Sequence, residues 1–213
     1  MIFGFSAITL KQRIRGLEMS TLVTKPAPDF TAKAVLANST FGDFTLSALK
    51  GKYVLLFFYP MDFTFVCPSE IIAFDNKIEE FRKRNTEVVA VSVDSEFAHF
   101  AWKNTERKQG GIGNVKFPLV ADITKNISRA YGILMDESVA LRGLFLIDRQ
   151  GIVRHALVND LPLGRNVDEA IRMVDALQFF EEHGDVCPAN WRPGEEGMKA
   201  SSEGVAEYLA KHS

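Results

Sequence analysis

Two cysteines, Cys67 and Cys187, are the residues of this 213-residue chain best suited to chemistry. They stand 120 positions apart and neither belongs to a C-x-x-C pair, which excludes both a local redox dithiol and a zinc ribbon. The four histidines, His99, His155, His183 and His212, are scattered without the i,i+4 spacing of a helical metal site, so no metal is expected. Cys67 follows an apolar run and opens an amphipathic segment, which predicts a position at the first turn of a helix behind a buried strand. A helix N-terminus offers unpaired N–H groups and about half a positive charge, and both favour thiolate over thiol. A free thiol with a pKa of about 8.5 is only about 3% thiolate at pH 7, whereas a pKa of about 6 makes it about 90%. That change corresponds to about 3.4 kcal/mol. A helix end supplies at most about 2 kcal/mol, so a nucleophilic cysteine here requires a nearby cation as well. On position alone the alternative is an inert buried cysteine, since free cysteine is among the most buried residue types.

The elements that must hold this cysteine can be read from the apolar pattern. Residues 53–59, Y-V-L-L-F-F-Y, are continuously apolar and end at Pro60, as in a strand covered on both faces. Ile71, Phe74, Ile78 and Phe81 recur at i, i+3, i+7 and i+10, which predicts one amphipathic helix after Cys67, with Pro68 at its first position. Residues 87–93 read as a second buried strand, 96–104 as a helix, F-P-L-V-A-D as a short third strand, and a helix runs to Ala130. G-L-F-L-I-D and I-V-R-H-A-L-V flank Arg149-Gln150-Gly151 as a β-hairpin. A long helix follows, capped by Asn166 with Glu169 three residues on, and stopped by Gly184. Upstream, Pro26 and Pro28 bracket an extended start, and residues 44–52 read as a strand end, one helical turn and a glycine stop. The order describes an α/β sandwich with a mixed central sheet flanked by helices. Three segments divide the chain: a leader over 1–18, the main domain over 19–184, and a proline- and glycine-punctuated tail over 185–213 ending in an amphipathic turn at Val205, Tyr208 and Leu209.

Composition narrows the function. Lys and Arg number 25 against 27 Asp and Glu, a formal charge of −2, and no basic stripe with interleaved aromatics occurs, so nucleic acid is not an expected partner. No apolar run reaches the roughly 18 residues of a membrane span. The first 18 residues are apolar, then basic, with no acid before Glu18. A secretory signal has the opposite order, which leaves an organellar transit segment or a non-essential leader ahead of a second start at Met19.

Residues 60–70, P-M-D-F-T-F-V-C-P-S-E, resemble the peroxidatic-cysteine loop of the peroxiredoxins, whose P-x-x-x-T-x-x-C core is here Pro60, Thr64 and Cys67. The resemblance continues through D-S-E-F-A-H-F-A-W-K-N-T, L-R-G-L-F-L-I-D, N-D-L-P-L-G-R-N-V-D-E and G-D-V-C-P-A-N-W, over roughly residues 20–210. It is similar above all to the bacterial alkyl hydroperoxide reductase C branch of the typical 2-Cys class. The resemblance implies a thioredoxin-like fold and makes Cys67 the peroxidatic nucleophile, with Thr64 bonding the thiolate and the peroxide, Pro60 shielding the pocket and Arg142 supplying the required cation. Glu70 and Arg165 would stand behind them, Glu70 pairing Arg142 or Arg165. Cys187 matches the resolving cysteine, and the family implies a Cys67–Cys187 disulfide between the two chains of an antiparallel homodimer. The residues themselves do not distinguish an inter-chain from an intra-chain bond. Gly110–Gly113, G-G-I-G, matches one of two family motifs for sensitivity to over-oxidation, while the other, a Y-F pair, is half present as Tyr208-Leu209.

The activity so implied is a thiol-dependent peroxidase of antioxidant defence that reduces hydrogen peroxide and organic hydroperoxides with no cofactor of its own. Thioredoxin or a dedicated flavoprotein disulfide reductase would be the reductant, and a pentamer of dimers the assembly. Cytoplasmic residence is expected, because catalytic thiol exchange suits a reducing compartment, with organellar targeting by residues 1–18 the alternative. A cysteine hydrolase would need an orienting histidine, and none of the four stands in a motif. A holdase chaperone is the non-enzymatic alternative that the family also hosts. Trp102 and Trp191 are expected as packing residues.

Overall fold

The structure, a computed structural model, describes residues 21–212; the expected leader over 1–18 lies outside them. In chain order its strands are β1 (Thr31–Val35), β2 (Phe41–Thr45), β3 (Tyr53–Phe58), β4 (Thr86–Ser92), β5 (Leu119–Ala121), β6 (Leu134–Met135), β7 (Val139–Ala140), β8 (Arg142–Ile147) and β9 (Val153–Asn159). Its helices are α1 (Cys67–Asn76), α2 (Ile78–Lys83), α3 (Glu96–Asn104), α4 (Asn126–Ala130), α5 (Val167–His183) and α6 (Ser202–His212). Seven strands form one sheet in the order β2-β1-β5-β4-β3-β8-β9. The β3–β4 and β4–β5 pairs are parallel, and β1–β2, β1–β5, β3–β8 and β8–β9 are antiparallel. This is the mixed sheet that the pattern of elements predicts.

All six residues of β3 are buried, and its pleat divides them between two cores. Leu55 and Phe57 face a cluster with Ile71, Phe74, Phe81 and Val174, whereas Val54, Leu56 and Phe58 face Val89, Val120, Tyr131 and Phe145. The strand next to Cys67 is therefore the centre of the molecule. Arg142 opens β8 opposite Asn159, and Leu146 lies opposite His155 farther along the same hairpin. The hairpin turn needs Gly151 at φ +87°, which a Cβ would strain.

Several local expectations shift. The segment after Cys67 forms two helices, because the Lys77 amide bonds the Phe74 carbonyl three residues back and tightens the turn there. The bend keeps Ile71, Phe74, Ile78 and Phe81 all buried. Cys67 is itself the first helical residue, and Pro68 the second. β1 and the small β6–β7 hairpin add to the elements expected from the apolar pattern. Asn166 caps α5 by accepting from the Asp168 and Glu169 amides, and Gly184 ends it at φ +73°. The tail is not loose: Trp191 is buried, its ring 4.8 Å from Phe179 on α5, and Val186 bridges Met198. No residue of α6 is buried.

Lys103 on α3 is buried with its ammonium donating to the Leu36 carbonyl, and among the described residues no carboxylate lies in salt-bridge range of it. Burial brings its pKa from 10.5 down to about 8. Unfolded chains therefore bind the extra proton between those values, and the cost of the buried charge is full below pH 8 and relieved as the pH rises towards 10.5. The Leu36 carbonyl also accepts from the Ser39 amide, so removing the ammonium orphans nothing. Lys103→Met is expected to raise stability at pH 7 by about 1–2 kcal/mol, with the advantage shrinking above pH 8 in denaturant titrations.

Candidate active site

Chain direction brings the expected residues together from four separated segments. β3 delivers Pro60, buried just past its end; α1 starts with Cys67; β8 starts with Arg142; and Arg165 precedes α5. Cys67 is fully buried. Its Sγ lies 2.9 Å from the Thr64 hydroxyl and 3.4 Å from Arg142 Nη1. The cation that the helix-end arithmetic demands is thus in contact with the sulfur.

Thr64 Oγ1 is also 2.8 Å from the Met61 carbonyl oxygen. One hydroxyl proton faces two acceptors, so the protonation of sulfur decides the pattern. A Cys67 thiol can donate to Oγ1 while the hydroxyl donates to Met61. A thiolate requires the hydroxyl to turn its proton to sulfur.

Glu70, one turn along α1, pairs both arginines rather than one of them. Its Oε2 is 2.7 Å from Arg142 Nη1, and its Oε1 is 2.8 Å from Arg165 Nε and from the Arg165 amide. Arg165 Nη1 donates to the Phe58 and Gly143 carbonyls, tying the ends of β3 and β8, and Arg142 Nε donates to Leu161. The Arg165 guanidinium sits 5.1 Å over the Phe57 ring. Burial pushes the Glu70 carboxyl up, but the hydrogen bonds and charge of Arg165, with Arg142 behind it, bring it below the ordinary carboxylate range. Burial likewise lowers Arg165 from the usual guanidinium range, against the pull of Glu70.

A second buried network, which no local pattern in the sequence signals, grips the loop before Cys67. His99 Nδ1 is 2.8 Å from Asp62 Oδ2, the Tyr59 hydroxyl donates to Asp62 Oδ1, and the Asp62 amide donates to Asp94. Asp62 and His99 are 37 residues apart, on a loop and a helix, so no spacing rule joins them. Phe63, next in the loop, is held at φ +53° with its ring 5.8 Å from that of Trp102. A non-glycine residue there is strained, and the network and the aromatic contact keep it so.

Cys187 lies apart from this cluster. It is half-buried, its Sγ 3.4 Å from the Ala176 carbonyl on α5, and both cysteines are free thiols. Burial pushes the Cys187 thiol up, tempered by Arg172. Among the described residues no group of three or more metal-ligating side chains gathers.

Comparison with known proteins bears on the fold and the family. The model of the AhpC/TSA family matches residues 23–156, and that of the C-terminal domain of 1-Cys peroxiredoxin matches residues 176–211, a stretch that includes Cys187. Alkyl hydroperoxide reductase C of Helicobacter pylori (strain J99 / ATCC 700824) is 62% identical over 194 residues, covering 90% of this chain and 98% of its own. Peroxiredoxin-2 of Cricetulus griseus is 56% identical over 191 residues, covering 89% and 96%. Among solved structures, the reduced 2-Cys peroxiredoxin of Plasmodium vivax superposes with a TM-score of 0.88 at 55% identity, covering 90% of this chain and all of that one. The fold is the thioredoxin-like fold of the peroxiredoxins. The chain belongs to the AhpC/TSA family, the peroxiredoxins, whose members are thiol-dependent peroxidases.

Glu70→Gln leaves two buried guanidinium groups facing a neutral amide, and a loss of about 3–5 kcal/mol is expected at pH 7. Because the folded pKa of Glu70 is depressed, its contribution is present above the ordinary carboxylate range and lost as the pH falls through the folded value. The variant is therefore expected to show a shallower stability loss than wild type on acidification below about pH 4.5, read by chemical denaturation across pH.

Proposed function

We propose that Cys67 is the peroxidatic nucleophile and that Thr64, Arg142 and Pro60 form the peroxide pocket, with Glu70 and Arg165 holding the guanidinium of Arg142 in place. The observation that carries this reading is charge balance. Two buried guanidinium groups face one carboxylate, a surplus of one positive charge beside a buried sulfur. An uncompensated buried charge costs several kcal/mol, and a thiolate at Cys67 removes it. The thiolate attacks the terminal oxygen of a hydroperoxide, an S–O bond forms, the O–O bond breaks, and the departing oxygen takes up a proton to leave as alcohol or water. Arg142 and Thr64 bind the developing negative charge. No step uses a metal or cofactor.

Cys187 then condenses with the sulfenic acid at Cys67, releasing water and forming a disulfide. Support for a bond between chains comes from distances within one chain. Arg165, bonded to Glu70 beside Cys67, precedes α5 by two residues, and from Val167 at the start of α5 to Ala176, beside Cys187, is about 14 Å along the helix. A disulfide holds Cα atoms within about 7 Å. β9 is one of the two edges of the sheet, and Asn159 lies at the end of it near Arg142 while His155 lies towards Cys187. Antiparallel pairing of β9 with that of a second copy brings the Cys187 end of one chain to the Cys67 end of the other. A homodimer is the proposed assembly, and the likeness to the peroxiredoxins supports a pentamer of such dimers. A dithiol protein of the thioredoxin class or a flavoprotein disulfide reductase is the proposed reductant, in a cytoplasmic setting. The main domain over 19–184 supplies the peroxide pocket and the 185–213 tail the resolving thiol.

One equivalent of hydrogen peroxide should give a dithiothreitol-reversible dimer on a non-reducing gel with wild type, and none with Cys67→Ser or Cys187→Ser. A monomer whose intact mass falls by two hydrogens would make the bond intra-chain, and no change in gel or mass would overturn the mechanism. For the peroxide pocket, Arg142→Gln is expected to slow the peroxide step by about 10²–10³-fold. Thr64→Val should slow it by about tenfold or more while Thr64→Ser stays near wild type, measured as Cys67 oxidation in single-turnover stopped flow.

A further inference from the structure

Phe65 is 97% exposed, two residues before a cysteine that is fully buried. An aromatic ring left bare in water beside a reactive centre needs a reason, because covering it is worth more than most single contacts. Its neighbours in the loop are each held: Asp62 by Tyr59, His99 and Asp94, Phe63 by Trp102, and Thr64 by Met61 and Cys67. Phe65 is the most exposed member of this run, well beyond Phe63 at 53% and Met61 at 43%.

Towards the other end of the hairpin a cavity of about 200 Å³ is lined by Leu146, Met173, Leu177, Phe180, Val186 and Cys187, together with Arg154 and His155. Its walls are mainly apolar, and the Cys187 thiol is one of them. Phe180, at 40% exposure, forms part of the open wall.

We propose that this cavity is the docking site for Phe65 of a second copy of the chain, and that the docking positions Cys67 against Cys187 for disulfide formation. The inference rests on the inter-chain disulfide proposed above. Cα atoms of bridged cysteines stand about 5.5–6 Å apart, and two residues of chain span at most about 7 Å. Bridging therefore carries Phe65 of one chain to within about 13 Å of Cys187 in the other, at the mouth of a cavity that suits its ring. The antiparallel pairing of β9 brings the same two ends together. For Cys67 to leave its pocket the first turn of α1 must unwind, and the grip on Asp62 and Phe63 places the hinge at Thr64. Phe65 and Cys67 then swing as one arm. The ring enters an apolar cavity while sulfur reaches sulfur, so burial of the ring offsets part of the cost of unwinding. Phe65 is thus a positioning residue for resolution, acting through Cys67.

The test follows Cys67 oxidation and disulfide formation separately by stopped flow on the full-length chain, with intact mass to score sulfinate. Phe65→Ala is expected to slow disulfide formation by about tenfold or more and to raise the sulfinate yield under excess peroxide, while Phe65→Leu restores most of the rate. Phe180→Ala should reproduce the defect, and the double variant should be no slower than the worse single one. Disulfide formation at the wild-type rate in Phe65→Ala, or independent and multiplicative effects of the two substitutions, would overturn the docking while leaving the inter-chain bond intact. An intra-chain bond in wild type overturns the dimeric bridge itself, and this docking with it.

Discussion

The pair of guanidinium groups that share Glu70 is the interaction on which the site depends. Arg142 comes from the start of β8, Arg165 from the approach to α5 and Glu70 from the first turn of α1, so three elements distant in sequence meet on one carboxylate. Arg165 also donates to the carbonyls of Phe58, at the end of β3, and Gly143, at the start of β8. Each of these donors is almost fully buried, and an unpaired one would cost several kcal/mol. The same contacts that close the end of the sheet therefore fix the guanidinium beside Cys67. Stability and reactivity are not separable here: one carboxylate between two cations leaves a single positive charge, and sulfur is the group placed to answer it. A symmetric arrangement with two carboxylates would hold the fold as well and leave the thiol without an electrostatic partner.

The loop from Pro60 to Val66 works against that closure. A sulfur sealed at the start of a helix is suited to meeting a small peroxide and unsuited to meeting another cysteine, because a disulfide needs close approach of two backbones. The structure answers with a loop held unevenly. Asp62 and Phe63 are clamped from behind by α3, Asp94 and Trp102, and Phe63 takes a left-handed backbone to stay there. Beyond Thr64 the hold consists of the helix turn and the contacts of the buried Cys67 sulfur with the Thr64 hydroxyl and Arg142. Such a boundary between a strained, clamped half and a lightly held half is where local unfolding with a small free-energy cost is expected.

How much of this the sequence disclosed depends on the range of each interaction. β3 and α5 were legible because their signals are local: a continuous apolar run ending at proline, and a cap, a periodic face and a terminal glycine. Cys67 at a helix start was legible for the same reason. Arg142 and Arg165 were not, since a lone arginine carries no mark of its destination, and only the likeness of the surrounding motifs to a family singled them out. Glu70 was expected to choose one arginine and serves both, because two oxygens on one carboxylate can face two elements at once. The Asp62–His99 pair was missed outright: the histidine lies on an ordinary amphipathic helix, and its partner is 37 residues away across a parallel crossover. β1 was missed because T-A-K-A-V is short and weakly alternating, and it becomes a strand through its pairing with both β2 and β5. The split at Lys77 left the apolar periodicity unbroken, which is why periodicity could not show it.

The two cysteines show how one side chain is given two jobs by its surroundings alone. Cys67 stands at a helix start, against a guanidinium and a hydroxyl, in a buried pocket with a surplus positive charge. Cys187 stands against an apolar wall and a backbone carbonyl, and burial raises its pKa with Arg172 only tempering the effect. A thiol kept protonated reacts poorly with peroxide, since thiolate is the nucleophile. In the proposed cycle Cys187 is thereby withheld from the first step and remains available for the second, where its partner is the sulfenic acid at Cys67. Their separation along one hairpin is consistent with that proposed order. A second thiolate beside Cys67 would compete for the same positive charge, and the proposed cycle avoids that competition by keeping the second thiol away from the pocket.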